Sequence, residues 1–185
     1  MLAKKKIQSI SVYGDGPGER HIERHTLSVL VDNEPGVLAR VIGLFSGRGY
    51  NIESLTVAEV SKELNQSRMT IVAVGTMSVI DQIRHQLERL VPVHKVNDLT
   101  EEGAHVEREL ALIKVANKGD KRIEALRSAN IFRARVVDST QGSFVFEITG
   151  STEKVDAFID LMRPLGIVNI SRTGAAAISR GAQKI

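Results

Sequence analysis

The sequence predicts an α+β fold built from two similar domains in tandem. Three observations support this prediction. Stretches with the periods of strands and helices follow one another as β-α-β-β-α-β over residues 25–100, and the same order recurs over residues 109–181. This order is typical of the ferredoxin-like sandwich, in which two helices cover one face of an antiparallel sheet. Of the 185 residues, 42% are hydrophobic, which is enough for packed cores of this size.

Residues 1–24 are expected to form a flexible N-terminal extension, because they combine a lysine cluster with the Gly/Pro-rich segment GDGPGER. His21 and His25 lie four residues apart, a spacing that two metal ligands on one helix use. The flanking Arg20 and Arg24 repel a cation, and no third ligand is evident in the sequence. We therefore favour a solvated, charged lead into the first strand over a metal site.

Each element of the first domain has its own signal. TLSVLVD is typical of a strand, and an amphipathic pattern follows it. Ser78 with Asp81 resembles a capping box at the start of the second helix. The buried stripe of that helix is predicted to consist of Ile80, Ile83, Leu87 and Leu90. The predicted strands are 26–32, 51–59, 68–75 and 93–99, and the predicted helices are 36–48 and 78–91.

The turn between the first strand and the first helix has the composition of an anion-binding helix start. Asp32 and Asn33 are typical helix caps, and Pro35 suits the first helical position. Gly36 has no Cβ, which lets a ligand approach the backbone. The free N–H groups of the helix start and the positive end of its dipole favour a small acid.

The first helix is expected to pack along one stripe and to end at two glycines, Gly47 and Gly49. Asn51 and Ile52 then open the next strand, and we expect them beside the opening turn. There they would offer an amide that both donates and accepts, and an apolar contact. Apolar residues spaced i, i+3, i+4 and i+7 define the stripe of the helix, which is Leu38, Val41, Ile42 and Phe45.

The second domain repeats the order with a different opening turn. Its turn, ANKGDKRIEAL, lacks the Asn-x-Pro-Gly arrangement and carries Lys118, Lys121 and Arg122 instead. We therefore expect that it does not bind the same ligand in the same way. Ser151 suits the cap of the last helix, and Gly166 follows its end. The predicted strands are 109–116, 132–138, 143–149 and 167–173, and the predicted helices are 120–129 and 152–164.

Composition and motifs argue against catalysis by this chain. The absence of cysteine removes disulfides, thiolate metal sites and thiol nucleophiles, and fits a reducing, cytoplasmic location. No Walker loop and no G-x-S-x-G elbow occurs. No apolar run approaches the roughly 20 residues of a membrane span. Residues 101–108 are expected to be a polar linker, so we assign no acid or base role to the nearby carboxylates, which are Glu101, Glu102, Glu107 and Glu109.

Two other functions suit a ferredoxin-like fold. RNA-recognition modules share the topology, and QGSFVFEI at 141–148 faintly resembles their base-stacking strand. Core packing explains Phe144, Phe146 and Ile148 on one face equally well, and Gln141 stands where a basic residue is expected. The net charge of +3 is too small to argue for nucleic acid. An acylphosphatase-like enzyme wants an arginine in the first turn, which is acidic here.

Several segments resemble one family in the same order along the chain. DNEPGVLARVIGLFSGRGYNIESLTVA at 32–58 resembles the first βα unit of an ACT domain. The longer similarity is to the regulatory small subunit of acetolactate synthase, also called acetohydroxyacid synthase, and covers roughly residues 25–181. It is carried by further segments as well, which are SRMTIVAVG, HVERELALIKV, IFRARVVD and ISRTGAAAISRG.

The resemblance implies a non-catalytic subunit that activates a catalytic large subunit and transmits feedback inhibition by valine. The large subunit of this family carries thiamine diphosphate, magnesium and FAD, whereas this chain would hold no cofactor and no metal. ACT domains of this kind form homodimers with their sheets side by side and a branched-chain amino acid between protomers. Carried over from the family, the effector contacts are Asn33, Gly36, Val37, Leu38, Asn51 and Ile52.

Overall fold

The computed structural model describes residues 21–182, which form two sheets, each with helices on one face. The first half contains β1 (Glu23–Asp32), α1 (Val37–Ser46), β2 (Ile52–Ser61), β3 (Gln66–Gly75), α2 (Met77–Glu88) and β4 (Val93–Asp98). A short helix, α3 (Leu99–Glu102), leads into the second half. This half contains β5 (His105–Ala116), α4 (Asp120–Phe132), β6 (Arg135–Ser139), β7 (Ser143–Gly150), α5 (Thr152–Met162), β8 (Ile167–Arg172) and β9 (Ala176–Ser179).

The two sheets have the same topology. The first has the strand order β2-β3-β1-β4 and the second β6-β7-β5-β8, with every neighbouring pair antiparallel. The predicted α+β fold of two tandem ferredoxin-like domains is therefore confirmed.

Each domain buries its own core between the sheet and its helices. Alternate residues of β1 meet the buried stripe of α2, where the prediction was right for Ile80, Ile83 and Leu87. In the second domain, Phe146 packs against Phe158 with ring centroids 6.2 Å apart. The two clusters share no residue, so neither core depends on the other for its apolar contacts.

The buried stripe of α1 differs from the predicted one. Val37, Val41, Leu44 and Phe45 are buried, whereas Leu38 is 41% exposed and Ile42 is 38% exposed. Apolar residues occupy both stripes of this helix, so spacing alone could not choose between them. The consequence is an apolar strip, Leu38 and Ile42, on the outside of α1.

Two helix starts also differ from their predicted caps. Helix α1 begins at Val37, with Gly36 as its cap, so neither Asp32 nor Asn33 caps it and Pro35 lies outside it. Thr76, and not Ser78, caps α2 and accepts a hydrogen bond from the Val79 N–H. The predictions for α5 were right: Ser151 accepts from the Lys154 N–H, and Gly166 takes a left-handed φ of 101° after the helix region ends.

The segment expected to be a linker, residues 101–108, is structured. Helix α3 occupies its beginning, and β5 starts at His105. The sequence also gave no warning of β9, which pairs antiparallel with residues 105–108 of β5. At the other end of the chain β1 starts at Glu23, inside the region assigned to a flexible extension, and residues 1–20 lie outside the described residues.

The small pair of strands at this junction covers the face of the first sheet that its helices leave open. We call residues 105–108 and 173–179 the covering ribbon. Strand β9 contacts β1, and the ribbon residues Ala175 and Ala177 are buried. The covered face is built mainly from small polar residues, and its buried members include Thr26, Ser28, Thr70, Val72 and Asn97.

Candidate functional site

The opening turn of the first domain leaves the start of α1 open. Gly36 takes a left-handed φ of 89°, is exposed, and has no neighbouring atom within 4 Å of the position a Cβ would occupy. No side chain among the described residues caps the helix. The Val37 N–H reaches the Glu34 carbonyl only at 3.4 Å. The donors of the first helical turn therefore face solvent beside a glycine, which is an arrangement that accepts an anion.

The backbone of this turn is held from two sides, and the Asn33 side chain is exposed. The Asp32 N–H donates to the Pro92 carbonyl at 2.9 Å, and the Asn33 N–H donates to the Asn65 carbonyl at 2.7 Å. The Asp32 carboxylate lies 2.6 Å from His94 Nε2. Because these contacts use the backbone of Asn33, its exposed side chain stays available to a ligand.

The predicted site residues form two groups along the chain. The turn group is Asn33, Gly36, Val37 and Leu38, and the strand group is Asn51 and Ile52. Val37 is buried, so it offers a ligand only its backbone, while Leu38 offers an exposed apolar side chain. Asn51 is exposed just before β2, and Ile52 is partly buried against the first core.

The two groups lie far apart within one chain. Ile52 pairs with Ala73, which pairs with His25 on β1. The opening turn follows Asp32, seven residues further along β1, which corresponds to about 23 Å of strand. The expectation that Asn51 and Ile52 lie beside the turn in the same chain is wrong. A site that uses both groups must take them from two chains.

The matching turn of the second domain is filled by its own side chains. Asn117 is buried, and its amide donates to the carbonyls of Lys121 and Leu165 at 3.1 and 3.0 Å. Arg122 lies 3.7 Å from the centroid of the Phe144 ring and donates to the Thr140 carbonyl at 2.7 Å. Asn117 Nδ2 and Arg122 Nη2 therefore already have partners, while Asn117 Oδ1 and Arg122 Nη1 are buried without one among the described residues. This turn thus presents its polar groups differently from the first, in line with the expectation that it does not bind the same ligand in the same way.

The structure shows a cluster of charged side chains near the contact between the domains that the sequence did not predict. The Glu107 carboxylate accepts hydrogen bonds from Arg24 at 2.5 and 3.2 Å, from Thr26 at 2.9 Å and from Thr152 at 3.1 Å. Nearby, Arg172 donates two hydrogen bonds to Glu109, at 2.6 and 2.7 Å. The reading of Glu107 and Glu109 as solvated linker charges is wrong. A signal was present, because Glu109 is in phase with the buried alternation of β5.

Electrostatics strengthens this cluster. Burial is the largest single influence on Glu107 and favours its neutral form. The hydrogen bonds from Arg24, Thr26 and Thr152, together with the charge of Arg24, outweigh burial and lower the pKa of Glu107. The same hydrogen bond with Glu107 raises the pKa of Arg24. Both groups are therefore charged at neutral pH.

The structure also bears on the rival functions. Phe144, Phe146 and Ile148 are buried in the second core, so none of them is available to stack on a base. His25 is buried with its Nδ1 2.6 Å from Asp98, and not in a solvated lead as expected. Over the described residues, no group of three potential metal ligands lies together, and no helix has the length and apolar character to cross a membrane.

Comparison with known proteins decides the family. A family model described as an AHAS small subunit-like ACT domain matches residues 27–95, and one described as the small subunit of acetolactate synthase matches residues 108–181. A probable acetolactate synthase small subunit from Archaeoglobus fulgidus is 52% identical over 161 residues, which are 87% of this chain and 99% of that protein. The chain belongs to the acetolactate synthase small-subunit family.

Two further members of the acetolactate synthase small-subunit family agree with this assignment. The small subunit of acetolactate synthase isozyme 3 from Escherichia coli is 47% identical, over 85% of this chain and 96% of that one. The crystal structure of the Thermotoga maritima small subunit is 41% identical and superposes with a TM-score of 0.77, covering 87% of this chain and 99% of that one. The predicted family and the ACT identity of the first domain are confirmed.

Proposed function

We propose that this chain is the regulatory subunit of an acetolactate synthase, that it activates the catalytic large subunit, and that it confers feedback inhibition by valine. In this proposal the large subunit carries thiamine diphosphate, magnesium and FAD, and the chain works with it in the cytoplasm. One observation carries the effector part of the proposal. The opening turn of the ACT domain presents an uncapped helix start whose backbone is already fixed by neighbouring elements.

A free amino acid suits this turn. Its carboxylate would take the N–H groups of the first helical turn, next to Gly36, and its ammonium would meet the side-chain oxygen of Asn33. Three interactions favour binding: about 2 kcal/mol from the helix start, roughly 1.5 to 3 kcal/mol from a hydrogen bond to a charge, and about 1.5 to 3 kcal/mol from a buried branched side chain. The loss of freedom on association costs at least about 4 kcal/mol. The balance of about 1 to 4 kcal/mol corresponds to a dissociation constant of about 1 mM or weaker, which suits a reversibly bound metabolite rather than a permanently held cofactor.

The complete effector site requires two chains in this proposal. A two-fold axis across the middle of α1 would set two copies of this helix antiparallel. The opening turn of one copy would then meet Asn51 and Ile52 of the other, twice in each dimer. The exposed strip of Leu38 and Ile42 supports this arrangement, because a dimer contact along α1 would remove both side chains from water.

Inhibition then follows from a difference in affinity. Valine must bind one arrangement of the dimer, or of the dimer on the large subunit, more tightly than another, since equal binding shifts nothing. A coupling of about 1 to 3 kcal/mol would suffice.

Reconstitution with the purified large subunit tests the proposal. We expect the chain alone to make no acetolactate from pyruvate, to increase turnover when added to the large subunit, and to make that turnover sensitive to L-valine. Turnover by the chain alone, or a large subunit whose rate and valine response are unchanged by the chain, would contradict the proposal. Titrations with L-leucine and L-isoleucine beside L-valine would identify the preferred effector.

A further inference from the structure

Glu107 connects the two domains through three elements at once. From β5 its carboxylate contacts Arg24 and Thr26 on β1 and Thr152 at the start of α5. Its side chain is only 12% exposed. By contrast, the Arg135 and Glu147 pair joins two strands of one domain at the surface.

The rest of the contact between the domains combines hydrogen bonds with small residues that fit closely. The Ala175 N–H donates to Ser54 Oγ at 2.9 Å, and Thr56 Oγ1 donates to the Thr173 carbonyl at 3.2 Å. Between them lies Gly174, whose φ is +79° and where a Cβ would come within 2.6 Å of Ser54 Oγ. The covering ribbon therefore lies on the first sheet through hydrogen bonds and small residues. The apolar residues buried there, Val72, Ala175 and Ala177, belong to neither core cluster.

Two features show that this contact is not part of either core. Ser28 Oγ and Asn97 Oδ1, on the covered face, are buried without a hydrogen-bond partner among the described residues. Beside the ribbon, a cleft of about 430 Å³ separates residues of the two domains, including Glu53 and Val72 on one side and Asp156 on the other. Since the two hydrophobic clusters share no residue, parting the domains here would expose neither core.

We propose that the contacts of Glu107 hold the two domains together and that the domains separate when these contacts break. We call this set of contacts the clamp. While the Glu107 and Arg24 pair holds, the covering ribbon stays on the first sheet and the two domains move together. When the pair is broken, the ribbon leaves the sheet while each domain keeps its own core and fold.

A second consequence rests on the proposed function. A change at the effector turn reaches the second domain through the closed clamp, because β1 carries both the turn at its end and Arg24 and Thr26 near its start. A chain with an open clamp should still bind valine at the ACT domain and should transmit that binding poorly.

Hydrogen exchange on the full-length chain tests the clamp without any ligand. In Glu107→Gln, we expect amide exchange in residues 173–179 to rise at least about tenfold, while the core strands β3 and β7 keep their protection. Glu147→Gln, which removes an ion pair within the second domain, should leave the ribbon unchanged. The charge reversal Arg24→Glu with Glu107→Arg should restore protection that either single change removes. Unchanged exchange in the ribbon of Glu107→Gln, or an equal rise throughout both cores, would overturn the clamp.

Effector titration separates failure of the clamp from failure of the proposed function. We expect Glu107→Gln to bind L-valine within about twofold of the wild-type dissociation constant, because it changes none of the residues assigned to the effector site. It should nevertheless lose most of the inhibition that saturating valine imposes on the reconstituted enzyme. Full inhibition of the variant would overturn the coupling role. If the wild-type chain bound no valine, the proposed effector would fail, whereas the exchange result would stand on its own.

Discussion

The opening turns of the two domains occupy the same place in the same topology and differ in whether their polar groups are already used. In the first domain, Asn33 is exposed and Gly36 leaves the helix start uncovered. In the second, Asn117 is buried and its amide nitrogen donates to two backbone carbonyls, while Arg122 lies over the Phe144 ring. The repeated fold therefore supplies the same scaffold twice, and local residues decide which copy leaves its helix start open.

The two glycines that precede α1 and α4 give the largest expected contrast, since both have a positive φ. Gly36→Asp places a carboxylate where the effector's own carboxylate would lie, so L-valine affinity should fall at least about 100-fold. Gly119→Asp is the matched control, because Gly119 also has a positive φ, of 59°, at the start of α4. The backbone cost is about 1 to 2 kcal/mol at Gly36, which lies in the left-handed helical region, and is larger at Gly119, whose ψ is −136°. Normal valine binding by Gly119→Asp would therefore be a stringent control. Calorimetry should find normal valine binding only in the control, and equal losses in both would make the contrast between the turns false.

Replacing Asn33 should reduce valine affinity, whereas replacing Asn117 should reduce stability. Asn33→Ala should weaken valine binding about 10- to 100-fold, as expected for a lost hydrogen bond to a charged group, with little change in stability. Asn117→Ala removes two buried hydrogen bonds and should cost about 1 to 3 kcal/mol of unfolding free energy with valine affinity unchanged. Thermal unfolding and calorimetry on both variants check this. A loss of affinity in Asn117→Ala with normal stability would show that the second turn also binds.

The exposed apolar side chains of α1 are expected to contribute to dimer formation, whereas those of α4 are not. Replacing Leu38 and Ile42 by glutamate should raise the dimer dissociation constant at least about tenfold, because burying one such side chain is worth about 1.5 to 3 kcal/mol. Ile123→Glu on α4, where the side chain is 52% exposed, is the control and should leave the dimer intact. Sedimentation equilibrium measures both. A dimer that tolerates the α1 changes would place its interface elsewhere.

The smallest expected effect is a pH dependence of the stability that Glu107 contributes at the contact between the domains. The pKa of Glu107 is lowered from its ordinary value of 4.5 in the folded chain, so its stabilising contribution is present above that value and is lost as the pH falls through the folded pKa. The difference in unfolding free energy between wild type and Glu107→Gln should thus be constant from pH 7 to about 5 and shrink in more acidic solution. Denaturant titrations at each pH measure it, and a difference that grew on acidification would have the wrong sign.

The fold was predictable from local patterns, and the long-range contacts were not. Period-2 and period-3.6 spacing identified the two repeats, because each domain buries its own core. The same spacing could not choose between the two apolar stripes of α1. It also missed β9, a strand of four residues in which only Ala177 is buried.

The candidate site was partly readable. Turn chemistry identified Gly36 as a residue with an unusual backbone, which its positive φ confirms, whereas the capping role predicted for Asn33 was wrong. Placing Asn51 beside that turn failed because sequence proximity to α1 gave no account of the strand register, which sets the two groups about 23 Å apart. The anchoring of Asn33 by Asn65, and of Asp32 by His94, depends on elements far along the chain.

A mixed-dimer titration tests most directly whether the effector site is shared between two chains. Gly36→Asp disables the turn, and Asn51→Ala disables the strand group, so each homodimer should bind L-valine weakly or not at all. A heterodimer of the two, isolated with two affinity tags, contains one site with an intact turn from one chain and an intact Asn51 from the other. We predict wild-type affinity at half the wild-type number of sites. No recovery in the heterodimer would contradict a site built from two chains.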